Sequence, residues 1–413
     1  MNIIDLFSGA GGLTEGFRDQ FKIIDHVEKE YAACETLKLR DSFYYLEQND
    51  LLDIYFQFLS GRVREEDIFD LVPEAVLNKT INAEINDDTL RDIFKKIDAD
   101  LKNQSVIGII GGPPCQAYST IGRARNAAKK STDERIFLYK YYIDFLNKYR
   151  PLFFVFENVR GLLSFRDANN ELLFPKMQYE FRGAGYNLKY RIINAADYGV
   201  PQVRERIIIF GAKADYSDFP EKFFKNLESM KKRRMTVKEA FTGLPKLHAG
   251  ETKNIYAKET SSLAEEIYRK NKSIPLTENV SRPNNDNDLK IYKIVAKAKQ
   301  NGKNIRYNEL DDSLLTHKNT NEFLDRYKAL SWDLPAHTIV AHIAKDGHHF
   351  IHPDPEQNRS ITVREAARLQ GFPDDYYFEN SRTAAFTQIG NAVPPILSKK
   401  IAKAVYLTIK TIS

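Results

Sequence analysis

Five short apolar runs, separated by charged or helical sequence, constrain the fold of this chain more than any other feature. They are NIIDLF, FKIIDHVE, SVIGIIGG, PLFFVFENV and ERIIIFGA. Runs that are apolar at consecutive positions, rather than at alternate ones, are typical of parallel strands covered by helices on both faces. The sequence therefore predicts an α/β fold built on a parallel sheet.

The alternation of strands and helices is interrupted twice. Residues 54–104 are charged and helix-like, which predicts an insertion. Residues 251–325 are polar and rich in Asn and Lys, which indicates a second, smaller, loop-rich domain. The last stretch, PPILSKKIAKAVYLTIK, predicts an amphipathic helix that begins with prolines. We expect three parts, which are residues 1–215, 216–386 and 387–413.

Composition indicates a soluble protein without naming its partner. The two cysteines, Cys34 and Cys115, cannot form a disulfide framework, and their scarcity suits a reducing cytoplasm. No run approaches the roughly 18 apolar residues of a membrane span, and the N-terminus does not resemble a signal peptide. The net charge of +5 permits nucleic-acid binding, but a uniformly mixed surface has the same sum.

A glycine-rich turn, DLFSGAGG, joins the first strand to a helix. Its glycines are Gly9, Gly11 and Gly12. Glycines let the backbone approach a ligand, and the helix N-terminus offers free N–H groups. Asp5 and Phe7 lie where a nucleoside or a charged ligand end would contact them. Glu28 ends the second strand, where nucleotide-binding sheets hold ribose hydroxyls. Packing alone would explain the turn, and solvation would explain Glu28, but together they indicate nucleoside binding.

Cys115 occupies a second turn, GGPPCQAYST, at the end of a predicted strand. Open α/β sheets bind their ligands at this edge, and a cysteine there attacks as a thiolate when its pKa is lowered. A buried, inert cysteine is the alternative, although two glycines and two prolines around it argue against simple core filling. Zinc is not expected, because Cys34 has no partner at metal-ligand spacing.

Two further stretches carry charge at the ends of predicted strands. Glu157 ends the run FFVFENV and is either an acid/base group or a neighbour of a helix N-terminus. The stretch QVRERIIIFG contains Gln202, Arg204 and Arg206, with both arginines on one face of a strand. Such arginines suit a phosphate or a base carbonyl, and a surface ion-pair pattern is the alternative.

Taken in order, six stretches closely resemble the motif set of the C5-cytosine DNA methyltransferases. They are DLFSGAGGL, GGPPCQAYS, ENVRG, QVRERIIIFG, REAARLQGFPD and QIGNAVPP, and they extend from Asp5 to Pro395. The resemblance implies a Rossmann-like S-adenosylmethionine-dependent sheet in residues 1–215 and a target-recognition domain with its hinge in residues 216–386. Residues 387–413 would return to the catalytic domain.

The resemblance implies S-adenosylmethionine as cofactor. Phe7 would pack on its adenine, the glycine turn would surround its methionine part, and Glu28 would bind the ribose hydroxyls. Asp5 is a further expected cofactor contact. Asp50 would meet the adenine amino group, with Asp53 as the substitute. The remaining residues expected around the cofactor are Pro113, Asn391 and Val393.

The resemblance also implies the chemistry, which is methylation of cytosine at C5. Cys115 would add to C6, Glu157 would bind the cytosine edge, and Arg206 would contact O2. Arg204 and Gln202 would position the loop and the site. The target base would be flipped out of duplex DNA. Polar and basic residues after the nucleophile would contact DNA, namely Gln116, Ser119, Thr120, Arg123, Arg125, Lys129 and Lys130.

In the second domain, the resemblance places Arg359 and Arg364 at the domain junction. Four histidines lie close together in sequence, namely His342, His348, His349 and His352. No cysteine or helical i, i+4 pair accompanies them, so we expect no metal site. The recognition sequence of the DNA is not legible from residues 251–325.

The same fold would also suit an RNA-modifying enzyme or a DNA-binding regulator without catalytic activity. An RNA-modifying relative would carry a CFT motif in its second domain, and this chain has no cysteine after Cys115. A non-catalytic DNA-binding regulator would have lost the nucleophile or its acid, and both remain. We therefore expect a monomeric cytoplasmic bacterial enzyme that acts on double-stranded DNA. A cognate restriction endonuclease is its expected functional partner.

Overall fold

A computed structural model describes residues 1–114, 118, 134–316, 319 and 321–410. Its centre is a seven-stranded sheet in the order β3-β2-β1-β4-β5-β7-β6. The strands are β1 Asn2–Leu6, β2 Lys22–Glu28, β3 Thr80–Asn82, β4 Val106–Gly111, β5 Phe153–Val159, β6 Tyr186–Asn194 and β7 Glu205–Lys213. The first five in spatial order are parallel, and β7 is antiparallel to both β5 and β6.

Helices alternate with the strands and then continue alone after β7. The α-helices are α1 Gly12–Phe17, α2 Tyr31–Gln48, α3 Leu52–Leu59, α4 Glu65–Phe69, α5 Glu74–Leu77, α6 Leu90–Leu101, α7 Leu138–Tyr149, α8 Leu173–Gly183, α9 Phe219–Glu228, α10 Val237–Phe241, α11 Ser262–Tyr268, α12 Asp286–Gln300, α13 Val363–Gln370, α14 Arg382–Asn391 and α15 Pro395–Ile409. Short 3-10 helices lie at Glu134–Phe137, Arg160–Ser164, Ala195–Tyr198, Ala214–Tyr216, Tyr307–Glu309, Asp312–Leu314 and Ala341–Ala344.

The sheet is covered on both faces, which confirms the predicted α/β class. One apolar core lies between the sheet and α6, α7 and α8, and it includes Ile97, Tyr142 and Phe181. The second core lies on the opposite face against α1, α9 and α15, and it includes Phe223 and Ile401. Continuous apolar strands are expected in such a three-layer arrangement, because both sides of each strand are removed from water.

One edge of the sheet collects the ends of five parallel strands. The chain starts at β1 in the middle, moves outward through β2 and β3, and returns to β4 on the other side of β1. Ligands bind outside the carboxyl ends of the strands at such a reversal point. Because β7 runs in the opposite direction, its first residues lie at the same edge, and Arg206 pairs with Val159 at the end of β5.

The predicted insertion over residues 54–104 needs correction. Strand β3 pairs with β2 in the main sheet, and α6 contributes Ile93, Ile97 and Leu101 to the core. The additional segment is smaller and consists of α3, α4 and α5, which pack on α2 through Tyr55 and Ile68. The sequence did not indicate that β3 and α6 belong to the main sheet and its core, because β3 has only three residues and the outer face of α6 is charged.

The chain after β7 forms two further apolar cores. The larger one surrounds α10, α11, α13 and α14 and also takes in Ala10 of the glycine turn. The smaller one surrounds α12 and includes Tyr292, Tyr307 and Tyr327. Helix α15 then packs against α1, where Ser398 Oγ donates a hydrogen bond to the Leu13 carbonyl. Within the described residues, none of the helices is both long enough and apolar enough to cross a membrane.

Asp25, in the middle of β2, provides a test of how the sheet packs against α6. Its side chain is fully buried, and Lys96 Nζ of α6 lies 3.7 Å from its Oδ1. Burial, together with Asp100 beside it, raises the pKa of Asp25 to about 8. The unfolded carboxyl group titrates near pH 4. The folded state therefore binds more protons between these values, and this group's contribution to stability falls as the pH rises from about 4 to about 8.

We expect the Asp25→Asn variant to be more stable than the wild type both at about pH 6 and at about pH 9, with a larger advantage at the higher pH. Asparagine resembles the protonated carboxyl group but does not titrate, so its advantage should grow by about 2–3 kcal/mol between these pH values. Urea unfolding at both pH values measures the difference in the free energy of unfolding. An equal loss of stability at both values would contradict the assignment.

Candidate active site

The glycine turn after β1 has a backbone that ordinary residues rarely adopt. Phe7, Gly9 and Gly11 have φ values of +54°, +53° and +75°. For a bulky residue such as Phe7 a positive φ costs energy, and strain of this kind concentrates at functional sites. An added Cβ at Gly9 would have nothing within 4 Å, whereas one at Gly11 would lie 2.8 Å from Leu37 Cδ2. The turn is thus packed at Gly11 and open at Gly9.

Glu28, at the end of β2, faces this turn. The Gly9 N–H donates to Glu28 Oε2 at 2.7 Å, and the N–H groups of Lys29 and Glu30 donate to Oε1 at 2.8 Å each. Burial raises the pKa of Glu28, although these three donors act in the opposite direction. The structure therefore brings together the predicted glycine turn and the predicted ribose-binding carboxylate.

Asp5 lies beneath the turn, with its side chain fully buried. Its Oδ2 accepts a hydrogen bond from Thr14 Oγ1 of α1 and lies 3.2 Å from His26 Nδ1. Its Oδ1 has no hydrogen-bond partner in the described part of the chain. The contacts that the structure gives Asp5 are therefore to the protein beneath the turn, and its contact with a cofactor stays a prediction.

The C-terminal part of the chain closes the turn from the other side. A Cβ on Gly12 would collide with the carbonyl oxygen of Val393, so glycine is required where α1 meets this segment. Val393 is buried, and Asn391 is exposed at the end of α14. Tyr376 also reaches the turn and donates its hydroxyl to the Ala10 carbonyl. Two regions far apart in sequence thus form one pocket wall.

The structure places Asp50 away from this edge. Helix α2 begins just after Glu28 and runs for 18 residues, which corresponds to about 27 Å. Asp50 follows its far end and is exposed, as is Asp53. The residue that ends the neighbouring strand at the site edge is Asn82, whose Nδ2 donates to the carbonyl oxygens of Glu28 and Lys29 at 3.2 and 3.0 Å.

Sequence reasoning missed the end of β3 as part of the site. Two residues beyond Asn82, Glu84 forms an exposed ion pair at 3.0 Å with Lys29, the residue that follows Glu28. The segment INAEIND contained the signal, because an acid follows the short strand by two residues. Without knowledge of β3 that acid could not be placed at the sheet edge.

Cys115 lies outside the described residues, and so do the other expected DNA contacts of its loop. They are Gln116, Ser119, Thr120, Arg123, Arg125, Lys129 and Lys130. The turn that leads to Cys115 is described. Pro113 is buried, and its carbonyl oxygen accepts a hydrogen bond of 3.1 Å from Asn158 Nδ2. Asn158 is itself buried, so β5 fixes the course of the chain two residues before the cysteine.

The Glu157 carboxylate lies against this turn. A Cβ built on Gly112 would lie 2.8 Å from Glu157 Oε2, and Arg206 Nε lies 2.9 Å from Glu157 Oε1. Burial raises the pKa of Glu157, although Arg206 and then Arg204 act to lower it. The carboxyl group therefore stays easier to protonate than a solvated glutamate, even beside an arginine.

Gln202 and Arg204 serve as positioning residues, because both are buried and contact protein rather than an open site. Arg204 donates to the carbonyl oxygens of Ile339 at 2.6 Å and Gly390 at 3.1 Å. Gln202 Oε1 accepts from the Ile339 N–H at 2.8 Å, and its Nε2 donates to Gln370 Oε1 at 2.6 Å. These contacts agree with the expected positioning of the site by both residues, and their place among the catalytic residues stays a prediction.

The arginines expected at the domain junction are buried in ion pairs. Arg359 pairs with Glu365 at 2.7 Å, and Arg364 pairs with Glu278 at 2.9 Å. The histidines are divided among different partners, as His348 Nδ1 lies 2.8 Å from the Tyr292 hydroxyl and His352 stacks on Phe241. In the described ranges, no group of three or more His, Cys, Asp or Glu side chains could hold a metal ion.

The sheet order, the antiparallel seventh strand and the glycine turn facing a carboxylate at the reversal point define the Rossmann-like methyltransferase class. The sequence profile described as C-5 cytosine-specific DNA methylase matches residues 75–407. The chain belongs to this family and is a DNA cytosine-5 methyltransferase.

Similar proteins share nearly the whole length of the chain. Type II methyltransferase M.Bpa9945I of Bacillus paralicheniformis is 40% identical, over 98% of both chains. Type II methyltransferase M1.HphI of Haemophilus parahaemolyticus is 30% identical, over 98% of this chain and 86% of the relative. A prophage-encoded protein of E. coli has the same fold, with a TM-score of 0.62 and 24% identity over 99% of both chains.

We expect the Gly112→Ala variant to lose methyl transfer activity about tenfold or more, because its Cβ would displace the Glu157 carboxylate. The Gly183→Ala variant is the matched control, since a Cβ there has nothing within 4 Å. Initial rates at saturating DNA and cofactor measure the effect. If both variants matched the wild type, the placement of Glu157 against Gly112 would be wrong.

Proposed function

We propose that the enzyme uses S-adenosylmethionine and that Cys115 is its nucleophile, with Glu157 as the acid that activates cytosine. The observation that carries this proposal is the position of Glu157. Its carboxylate lies between Arg206 and Gly112, three residues before Cys115. A buried acid with a raised pKa and a cation beside a cysteine turn suits the activation of a cytosine ring for thiolate addition.

The residues at the other end of the same edge fit the proposed cofactor. The turn is open at Gly9, and the Glu28 carboxylate suits the two ribose hydroxyls. Phe7 would pack on the adenine, and Val393 and Pro113 would line the pocket. We assign the adenine amino contact to Glu84 instead of Asp50, because Glu84 follows the end of β3. When bound, S-adenosylmethionine supplies a methyl group activated by its positively charged sulfur.

The chain's own residues then carry the remaining chemistry. The Cys115 thiolate forms a bond with C6 of the flipped cytosine, and the electron pair of the C5–C6 bond moves toward C5 and N3. Glu157 shares its proton with N3, and Arg206 holds both Glu157 and the base oxygen O2. After C5 has taken the methyl group, a base removes the C5 proton, the double bond re-forms and the thiolate leaves.

The chain after β7 would contact the DNA around the flipped base. We propose residues 216–386 as the target-recognition region with its hinge and residues 387–413 as the segment that completes the catalytic domain. The relatives are named Type II methyltransferases, which favours a role in protecting bacterial DNA from a cognate restriction endonuclease. That role places the enzyme in the bacterial cytoplasm, and we propose that it acts as a monomer.

Transfer of labelled methyl groups to duplex DNA tests the nucleophile. We expect the Cys115→Ala variant to lose transfer by more than about a hundredfold. The Cys34→Ser variant is the matched control, because Cys34 is buried and its thiol donates to the Glu28 carbonyl at 3.3 Å, a contact that serine can keep. Retained transfer by Cys115→Ala would overturn the assignment.

A second assay detects the bond between Cys115 and C6. Duplex DNA that carries 5-fluorocytosine cannot release a C5 proton after methylation, so the covalent adduct should persist. Mass spectrometry of the digested adduct should locate the trapped, methylated base on the peptide that contains Cys115. A label on another residue, or turnover without an adduct, would contradict the mechanism. Transfer to tRNA alone would favour the RNA-modifying alternative.

The role of Glu157 predicts a dependence on pH. The raised pKa keeps the carboxyl group protonated to a higher pH than in a solvated glutamate, so the rate should fall as the pH rises through that pKa. The Glu157→Gln variant keeps the shape but has no transferable proton, and we expect its single-turnover rate to fall about a hundredfold. Unchanged affinity for duplex DNA serves as the control. A rate within about threefold of wild type would exclude acid catalysis by Glu157.

A further inference from the structure

His26 is a fully buried imidazole between two carboxylates, directly beneath the proposed cofactor site. It lies on β2, two residues before Glu28, and pairs across the sheet with Asp5 of β1. Its Nδ1 lies 3.2 Å from Asp5 Oδ2, and its Nε2 lies 3.4 Å from Asp41 Oδ2 of α2. The sheet register and the packing of the middle of α2 against β2 therefore determine this arrangement.

Two carboxylates face His26, and only one of them has an arginine beside it. Asp41 pairs with Arg18 through its other oxygen at 2.5 Å. A protonated imidazole therefore supplies the cation that faces Asp5, which offsets part of the cost of burying that carboxylate. Although burial opposes the charge, Asp41 and Asp5 raise the pKa of His26. The charged and titratable groups around it are Asp5 of β1, Asp25 of β2, Asp41 of α2, Arg18 after α1, Lys79 before β3 and Tyr142 of α7.

The Asp5 side of this arrangement leads directly to the glycine turn. The Asp5 carbonyl accepts a hydrogen bond of 3.0 Å from Ser8 Oγ, and its carboxylate accepts one from Thr14 in the first turn of α1. On the other strand, the Val27 carbonyl accepts from the Ser8 N–H at 3.3 Å. The Asp5 side chain therefore links β1 to His26 of β2 and to Thr14 of α1, and Phe7 and Gly9 lie in the turn between these elements.

We infer that His26 is a positioning residue that holds the glycine turn and Glu28 in register for the methyl donor through its hydrogen bond with Asp5. This inference rests on the proposed use of S-adenosylmethionine. It assigns a function in cofactor binding to a residue that has no contact with the open site. The contact with Asp41 then serves the charge balance and the packing of α2.

Two conservative variants separate the two sides of the imidazole. The amide nitrogen of asparagine can occupy the place of Nδ1 and keep the donor to Asp5, whereas that of glutamine can occupy the place of Nε2 and keep the donor to Asp41. Both variants remove the charge. We expect His26→Gln to raise the Kd for S-adenosylmethionine about tenfold, because the loss of one hydrogen bond to a charged group weakens binding by about that factor. We expect His26→Asn to raise the Kd less than about threefold, because it keeps that hydrogen bond.

Calorimetric titration with S-adenosylmethionine and with S-adenosylhomocysteine measures these affinities without turnover. The wild-type affinity should fall by less than about threefold as the pH rises through the folded pKa of His26, because a neutral imidazole can keep its Nδ1–H donor to Asp5, and the affinity of His26→Asn should not change over that range. Thermal unfolding and duplex DNA binding are measured for both variants. A purely structural role would lower the stability and cofactor affinity of both variants together.

Equal cofactor affinities for the two variants, or affinities that match the wild type, would overturn the inference about His26. A wild-type enzyme that binds neither S-adenosylmethionine nor S-adenosylhomocysteine would instead overturn the proposed cofactor. At saturating cofactor the rate of methyl transfer should stay within about twofold of wild type in both variants. The two failures are therefore distinguishable.

Discussion

The buried ion pair between Glu15 and Arg40 joins the parts of the molecule on which the cofactor side of the site depends. Arg40 of α2 donates to both oxygens of Glu15 in α1 and also pairs with Asp375 at 2.9 Å. Arg40 holds the pKa of Glu15 at about 2 although burial alone would raise it. Removing one partner of a buried pair typically costs about 3–5 kcal/mol, because the other charge is left without compensation.

Through its contact with Asp375, Arg40 connects segments that are more than 300 positions apart in the sequence. Asp375 precedes Tyr376, whose hydroxyl binds the Ala10 carbonyl of the glycine turn. The Arg40 guanidinium also lies 4.7 Å from the centre of the Tyr376 ring. The same arginine therefore fixes α1 to α2 and brings the segment after α13 against the turn, so the pocket wall forms only when the chain is folded to its end.

Two glutamates that support the fold have lowered pKa values, whereas two glutamates at the site edge have raised ones. Glu15 and Glu365 have pKa values held at about 2, because Arg40 and Arg359 outweigh the effect of burial. Glu28 and Glu157 have raised pKa values, because burial outweighs their donors. The separation is incomplete, since burial also raises the pKa of Glu278 to about 7, that of Asp25 to about 8 and that of Asp375. Glu28 and Glu157 thus keep a capacity to exchange protons that Glu15 and Glu365 lose.

The sequence predicted what consecutive apolar residues and local motifs determine. The strands β1, β2, β4, β5 and β7 are apolar along their length, and the fold class followed from them. Strand β3 is too short to show a pattern. Strand β6 lies at the edge of the sheet and mixes buried residues with exposed ones such as Lys189, so it has no continuous apolar run. Asp50 was misplaced because its distance from Glu28 in sequence does not reveal that α2 leads away from the site. Asn158 was missed because an amide that supports a carbonyl has no signature apart from its neighbours.

Two arginines at the start of β7 tie different parts of the molecule to one point of the sheet, since Arg204 directly precedes the strand and Arg206 is its second residue. Arg204 holds the backbone of Ile339 and Gly390, and Arg206, two residues later, holds Glu157. Two residues of a strand span about 7 Å, and β7 is paired on both sides, with β5 and β6. The backbone around Ile339 and the Glu157 carboxylate are therefore both held by arginines that stand two residues apart at the start of one paired strand. The region proposed to read DNA and the acid proposed to activate the base thus depend on the same short stretch of chain for their positions.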